Sequence, residues 1–280
     1  MTFFVSDELP REVSIRLLVF LGVFVAMALW EIAAPRRART IGRTARWPGN
    51  LGVTILNTVL VRILIPLGAV ATALDVERQR FGLLNSLDAP YWLAVVAGVV
   101  LLDLTIYLQH IMFHAVPLLW RVHRMHHADL DLDVTSGARF HPIEILLSML
   151  IKLGLVAALG APPVAVLIFE LLLNATSMFN HSNVAMPAAA DRWLRLLVVT
   201  PDMHRVHHSV VVRETNSNFG FNLPWWDRWF GTYRAQPAAG QLGMTIGIDQ
   251  FRDPRELALV RMLIQPFREG VGKYSISASS

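Results

Sequence analysis

Apolar runs separated by short polar segments dominate the first two thirds of the chain. A helix of about 20 apolar residues crosses the hydrocarbon core of a bilayer. Three runs reach that length and predict membrane helices, at about Ile15 to Ala34, about Leu51 to Leu74 and about Tyr91 to Gln109.

A longer apolar run, residues 143–179, is interrupted by Gly160 and two prolines that follow it. Proline lacks the amide hydrogen and clashes with the preceding turn, so one continuous helix is not expected. We predict a helical hairpin that either crosses the membrane twice or stays half-buried in it. Lys152 and Glu170 inside the run are expected to face protein rather than lipid.

The composition agrees with this pattern. Of the 280 residues, 54% are hydrophobic and 16% are charged, and the mean hydropathy is +0.46. These values exclude an ordinary soluble domain. We predict an all-α integral membrane protein with about four to five membrane helices and a cytoplasmic helical cap. It forms a single domain, residues 1–280, with membrane helices in 1–90, a histidine-rich core in 91–235 and a C-terminal amphipathic segment and tail in 236–280.

The net charge of +4 indicates membrane topology rather than nucleic-acid binding, because the positive residues lie beside apolar runs. The loop after the first helix has no acidic residue and five arginines, which are Arg36, Arg37, Arg39, Arg43 and Arg46. The positive-inside rule places this loop in the cytoplasm. If each later helix crosses the membrane in the direction opposite to the one before it, every histidine lies on the cytoplasmic side.

All ten histidines lie in the interval 110–208, in clusters with helical spacing. "HIMFH" puts His110 and His114 at i and i+4, on one face of a helix. "HRMHH" and "HRVHH" each put a first histidine against partners at i+3 and i+4, and we expect each turn to direct its three imidazoles toward one centre. A basic patch for anionic headgroups is the alternative, although neutral imidazole is a weak phosphate partner.

Because the chain has no cysteine, any metal must be held by nitrogen and oxygen. So many histidines exceed the needs of one zinc ion, whereas two redox-active irons with open positions suit their number. We predict as metal ligands all ten histidines: His110, His114, His123, His126, His127, His141, His181, His204, His207 and His208. Alone in their segments, His141 and His181 can also be hydrogen-bonded structural residues.

A carboxylate is expected to orient the ligands, and Asp103 is the main candidate. It lies two helical turns before His110 on the same face, and pairing with Arg62 is its structural alternative. Asp129, Asp202 and Glu144 are weaker candidates, for which capping or solvation is the alternative.

At this point the chain resembles the fatty acid hydroxylase and sterol desaturase superfamily of membrane di-iron enzymes. The matching segments are "DLTIYLQHIMFH", "LWRVHRMHH", "FHPIE", "NHSN", "TPDMHRVHHS" and "NFGFNLPWWDRWFGTY", which together span about half of the chain. Within the superfamily it is similar to bacterial sterol desaturase family proteins and to alkylglycerol monooxygenase. Relatives often have arginine where Ile111 follows the first histidine, so the subfamily is not assigned.

The resemblance implies dioxygen-dependent hydroxylation or desaturation of an aliphatic C–H group in a lipid or sterol-like substrate. It implies two iron ions, for which zinc can substitute in purified protein, and O2 as co-substrate. It also implies electrons from an unfused reductase, ferredoxin or cytochrome. We therefore expect a bacterial inner-membrane enzyme with its site facing the cytoplasm, a lipid substrate, and no nucleic acid.

Other functions remain open at this point. An ether-lipid monooxygenase would use the same ligands. A metal transport or storage protein and a haem-binding electron carrier belong to other classes, from which dioxygen consumption coupled to lipid oxidation separates the enzymes.

Two further segments have patterns that predict their place in the structure. Trp225, Trp226 and Trp229 predict either an interfacial aromatic belt or rings that close the cap over a lipid entrance. Residues 247–267 predict an amphipathic helix on the membrane surface.

Overall fold

A computed structural model describes residues 3–87 and 89–278, with side chains from residue 12 to residue 277 apart from residue 88. Within this part the backbone is helical, and β structure is limited to isolated bridges. The helices of the apolar part are α1 Phe3–Ala33, α2 Arg43–Leu64, α3 Ala69–Arg78, α4 Leu83–Ser86, α5 Tyr91–Ala115, α7 Pro142–Leu159 and α8 Pro163–His181.

The remaining helices are short and build a cap at one end of the apolar helices. They are α6 Pro117–His127, α9 Ala188–Leu194, α10 Pro201–His207, α11 Val212–Thr215, α12 Trp225–Trp229, α13 Gly240–Gly243 and α14 Leu259–Ile264. Single 3₁₀ turns at Ser136–Ala138, Pro254–Leu257, Gln265–Phe267 and Ile276–Ala278 complete the described elements.

Five segments of the described chain are long and apolar enough to cross a membrane: Glu12–Ala33, Arg43–Ser86, Tyr91–Ala115, Pro142–Leu159 and Pro163–His181. The all-α membrane fold with four to five spans is thus confirmed. The second predicted span is interrupted, however. The helix ends at Leu64 and a new one begins at Ala69, because Pro66 cannot continue the hydrogen-bond ladder.

The predicted hairpin is two helices, α7 and α8, joined by a tight turn. Gly160 takes the left-handed conformation, with φ of +63°, and ends α7. Gly82 packs directly on this turn, where an added Cβ would lie 2.2 Å from Gly160 N. This close approach ties the α3–α4 loop to the end of the hairpin that lies farthest from the histidines.

The charges inside the apolar helices face protein, as expected. Glu170 of α8 accepts hydrogen bonds from Lys152 of α7 and, at 2.6 Å, from Arg16 of α1. The carboxylate is almost fully buried. Pairing among three helices offsets the cost of placing these charges at membrane depth.

The arginine loop is packed against the cap. Arg36 N donates to Asn183 O, and its guanidinium contacts Asp202. Arg46 is fully buried and binds both carboxylate oxygens of Asp129 at 2.8 Å. Bidentate pairing of this kind fixes the orientation of both side chains, so it holds the start of α2 against the segment that follows α6.

The C-terminal segment is not the single amphipathic helix that we predicted. It forms two 3₁₀ turns flanking the short helix α14, which packs against α2. Arg124 of α6 donates to the carbonyl oxygens of Gln265, Arg268 and Gly270. The segment thus connects α6 to α2.

Candidate metal centre

Four helices bring histidines to one region, and each presents them at its C-terminal end. Helix α5 ends one residue after His114, α6 ends at His127, α8 ends at His181 and α10 ends at His207. Helix C-termini carry partial negative charge. Their convergence therefore favours cations in the space that the imidazoles surround.

The side chains form two groups, each with ligand atoms within 4.8 Å of one another. The five-histidine group consists of His110, His114, His123, His127 and His207. The four-histidine group consists of His126, His181, His204 and His208. All nine residues are buried, with 3% or less of their surface exposed.

Each HRxHH motif contributes to both groups, contrary to the expectation of one centre per motif. In the first motif the i and i+4 residues, His123 and His127, join the five-histidine group, while His126 joins the other. In the second motif the assignment is reversed, and only His207 joins the five-histidine group. Successive helical residues point about 100° apart, so i+3 and i+4 diverge while i and i+4 stay aligned.

Hydrogen bonds at Nδ1 fix the tautomer of many of these rings. Main-chain carbonyl oxygens accept from Nδ1 of His110, His181 and His207, each at 2.8 Å. A carbonyl oxygen only accepts, so the proton is on Nδ1. The Nε2 atoms then present lone pairs to the interior of each group.

Two side-chain oxygen atoms also accept hydrogen bonds from histidine Nδ1 atoms. Glu144 Oε1 accepts from His123 Nδ1 at 2.7 Å, and Asn216 Oδ1 accepts from His114 Nδ1 at 2.9 Å. Glu144 was a weaker candidate from the sequence, yet it is the carboxylate that contacts a histidine. Asn216 was not predicted, and its sequence context gave no signal for it.

The spacing of the bare nitrogens suits metal coordination. His110 and His123 bring their Nε2 atoms to 3.2 Å, and His126 and His181 bring theirs to 3.1 Å. With both protons on Nδ1, these contacts join two lone pairs and are repulsive. Nitrogen ligands about 2.1 Å from one metal lie about 3.0–3.4 Å apart, so the residues fit metal ions.

Two further observations support this fit. His207 Nε2 is buried and has no hydrogen-bond partner among the described residues. Burial, and then the neighbouring imidazoles, lower the pKa of five histidines well below its usual value. These rings, His126, His127, His204, His207 and His208, are therefore neutral and able to bind metal.

Asp103 does not orient His110, so this expectation is corrected. Its Oδ2 accepts from Trp226 Nε1 at 2.7 Å and from Leu223 N at 3.3 Å. A separation of seven residues is about 10 Å along a helix, too far for the side chain to reach His110. Asp103 instead anchors the cap segment around α12 to the membrane helix α5, and it does not pair with Arg62.

His141 is the one predicted ligand that the structure does not bring to either group. Its Nδ1 accepts from Ile143 N at 3.2 Å, and its Nε2 donates to Leu263 O at 3.1 Å. It is the N-cap residue of α7, immediately before Pro142. Its role in the described structure is to join α7 to the C-terminal segment.

The other two carboxylates considered from the sequence have structural partners. Although burial alone would raise it, Arg46 and Arg139 hold the pKa of Asp129 well below its usual range. Asp202 pairs with Arg36 at 3.0 Å and with Arg205. Both carboxylates brace the cap, and neither orients a histidine.

Comparison with known proteins gives the same picture from sequence similarity. A family model described as fatty acid hydroxylase matches residues 95–232, which contain all ten histidines. The ornithine lipid hydroxylase OlsE of Rhizobium tropici is 30% identical over 234 residues, covering 81% of this chain and 70% of that protein.

More distant relatives are also lipid oxygenases by name. Human alkylglycerol monooxygenase is 31% identical over 166 residues, 59% of this chain and 35% of that protein. Cholesterol 25-hydroxylase of Rattus norvegicus is 27% identical over 154 residues, 53% of this chain and 49% of that protein. The chain therefore spans only a third to a half of these two relatives. No solved structure matches the chain.

Proposed function

The chain belongs to the fatty acid hydroxylase family, and from this premise we propose that it is a dioxygen-dependent di-iron enzyme that hydroxylates an aliphatic carbon of a membrane lipid. The observation that carries the proposal is the pair of buried histidine groups whose bare Nε2 atoms face one another at 3.1–3.2 Å. Nitrogen lone pairs that face one another at this distance repel, and a metal ion between them removes the repulsion.

Iron suits these groups because imidazole is a good ligand for it and because the relatives bear the names of oxygenases. Iron held there would activate dioxygen. The overall reaction converts R–H, O2, two electrons and two protons into R–OH and water. The chain's own residues hold the ions, fix the tautomer of each imidazole and keep bulk water away. The electrons come from a reductase, ferredoxin or cytochrome.

We assign the site to the cytoplasmic face of a bacterial inner membrane. The arginine loop packs against the same cap that carries the histidines, through Arg36 and the buried Arg46. The positive-inside rule puts such a loop in the cytoplasm. An apolar substrate then reaches the site from the bilayer, while the electron donor reaches it from the cytosol.

Ornithine lipids are the first substrate class to test, because the relative with 70% coverage is named for them. Ether lipids of the alkylglycerol type are the second class, since a relative named for them is 31% identical over 166 residues. Hydroxylation is favoured over desaturation because the relatives are named hydroxylases and monooxygenases.

The test is expression in a bacterial host supplied with ornithine lipid or alkylglycerol under 18O2, followed by mass spectrometry of the lipids. We expect one 18O atom per oxidised lipid and two iron ions per purified chain. Four-ligand zinc sites bind with about 10–16 kcal/mol, so losing one ligand of four costs about 3 kcal/mol, or about a hundredfold in affinity. The His126→Ala variant should therefore lose metal and product.

The matched control is His141→Asn, which changes a histidine outside both groups and leaves a residue that caps helices well. It should keep two metal ions and its product. Wild-type cells that accumulate metal without forming any 18O-labelled lipid would instead support the transport or storage alternative.

A further inference from the structure

Phe140 lies against both histidine groups. Its ring stacks on His126 of the four-histidine group, with centroids 4.4 Å apart and planes 14° apart. It also stacks near His123 of the five-histidine group, at 6.4 Å. Unlike the nine histidines, Phe140 is partly exposed. Phe140 is therefore a residue that touches both groups and still has part of its surface accessible from outside the protein.

Phe221 also lies against both histidine groups. Its ring is 5.2 Å from His110 of the five-histidine group and 5.8 Å from His204 of the four-histidine group. The centroids of Phe140 and Phe221 are 6.4 Å apart. The two rings thus form one apolar surface, the Phe140–Phe221 pair, where the two groups meet.

This pair lies between the histidines and the membrane helices. Phe140 immediately precedes the first turn of α7, and its carbonyl oxygen accepts from Asn57 of α2 at 2.8 Å. The carbonyl oxygen of Phe221 accepts from Asn180, near the end of α8, at 3.0 Å. Both main chains are therefore fixed to the ends of helices that descend into the bilayer.

A narrow crevice lies between α5, α7 and α8. Its apolar walls are Leu102, Ile106, Leu155 and Phe169, and its polar walls are Thr105, Gln109 and Lys152. Lys152 is paired with Glu170, so its charge already has a partner. Gln109 is the neighbour of His110, and the apolar walls suit an alkyl chain.

We propose that the Phe140–Phe221 pair holds the reacting methylene of the lipid chain beside both metal sites and so determines which carbon is hydroxylated. The inference rests on the proposed function and adds the residues that set its regioselectivity. Neither ring can donate or accept a proton, so their action is by contact and by exclusion of water. The ligand is a saturated alkyl or acyl segment, which dispersion contacts with two rings hold at a defined depth.

The experiment compares product positions. The variants Phe140→Leu and Phe221→Leu replace each ring by a smaller apolar side chain. Phe140→Met and Phe221→Met replace it by a more flexible apolar side chain. The matched control is Phe219→Leu, because Phe219 contacts His110, His114 and His207 of the five-histidine group alone. Hydroxylated chains from cells given the lipid that wild type oxidises are analysed by gas chromatography and mass spectrometry, and bound metal is counted in parallel.

We expect the ratio of hydroxylation positions to change by about tenfold in the pair variants, the discrimination that one methylene provides in an apolar pocket. Two metals per chain should remain, and Phe219→Leu should keep the wild-type ratio whatever its yield. The inference is overturned if both pair variants keep the wild-type ratio, if Phe219→Leu shifts it equally, or if product and metal fall together in the leucine and methionine variants. A wild type that forms no labelled lipid instead refutes the proposed function.

Discussion

Replacing Glu144 by glutamine tests whether the outer hydrogen bonds tune one metal site selectively. Glu144 Oε1 accepts from His123 Nδ1 at 2.7 Å, and both residues are buried. Glutamine has nearly the same shape and keeps an acceptor oxygen, but it carries no charge. Because His123 belongs to the five-histidine group, the loss should fall on the metal held there.

The expected magnitude follows from the hydrogen bond. Bonds to charged groups contribute about 1.5–3 kcal/mol and neutral ones about 0.5–1.5 kcal/mol, so the change costs about 1–1.5 kcal/mol. That cost corresponds to about tenfold weaker binding, at the lower end of the 10–100-fold range known for such partners. Affinity at the four-histidine group should not change.

The assay is elemental analysis of the purified protein during titration with a chelator. One of the two metals should leave the Glu144→Gln variant at about tenfold lower chelator concentration than in wild type. Glu214→Gln is the matched control, since Glu214 is buried but accepts from Ala238 N and not from a histidine. Equal weakening of both metals, or identical titrations of variant and wild type, would refute the reasoning.

Three further predictions concern stability. Asp103→Ala leaves the buried Trp226 N–H and the half-buried Leu223 N–H without their acceptor, so unfolding free energy should fall by about 1–3 kcal/mol in chemical denaturation, while elemental analysis still finds two metals. Burial raises the pKa of the Asp227 carboxyl to about 6. The folded protein therefore loses stability as pH rises through 6 and this carboxyl becomes charged. The Tm of Asp227→Asn relative to wild type should therefore fall as pH decreases from 7 to 5, and a pH-independent difference would contradict this. Complete metal removal should lower Tm by more than 10 °C in scanning fluorimetry, because it leaves lone pairs facing one another; an unchanged Tm would count against metal sites.

Much of the fold could be predicted because the signals were long and periodic. Apolar runs located α1, α5 and the α7–α8 hairpin. The apolar run of α5 ends at Gln109, and the i, i+4 spacing of His110 and His114 predicted the helical turn that continues the helix to Ala115. Pro66 broke the second span, which hydropathy alone could not show because the residues on both sides are apolar.

The candidate site was predicted less completely, and each difference has a geometric cause. Spacing of three and four residues identified the histidines, but only the placement of α6 and α10 in the fold decides which centre each ring reaches. Asp103 shares a face with His110 without reaching it. His141 carried a signal that favoured the structural role, since a residue directly before proline at a helix start is an N-cap position. Glu144, three residues later, reaches a ligand that is distant in sequence.

The division of each HRxHH motif between the two groups has a consequence for assembly. When α6 or α10 forms, it delivers donors to both centres at once, so neither centre is complete until the two helices are docked. The ligand sets of the two centres are therefore brought together in the same folding step. For the same reason neither centre can be inherited, deleted or exchanged as a separate module, because any change of register in one helix would damage both.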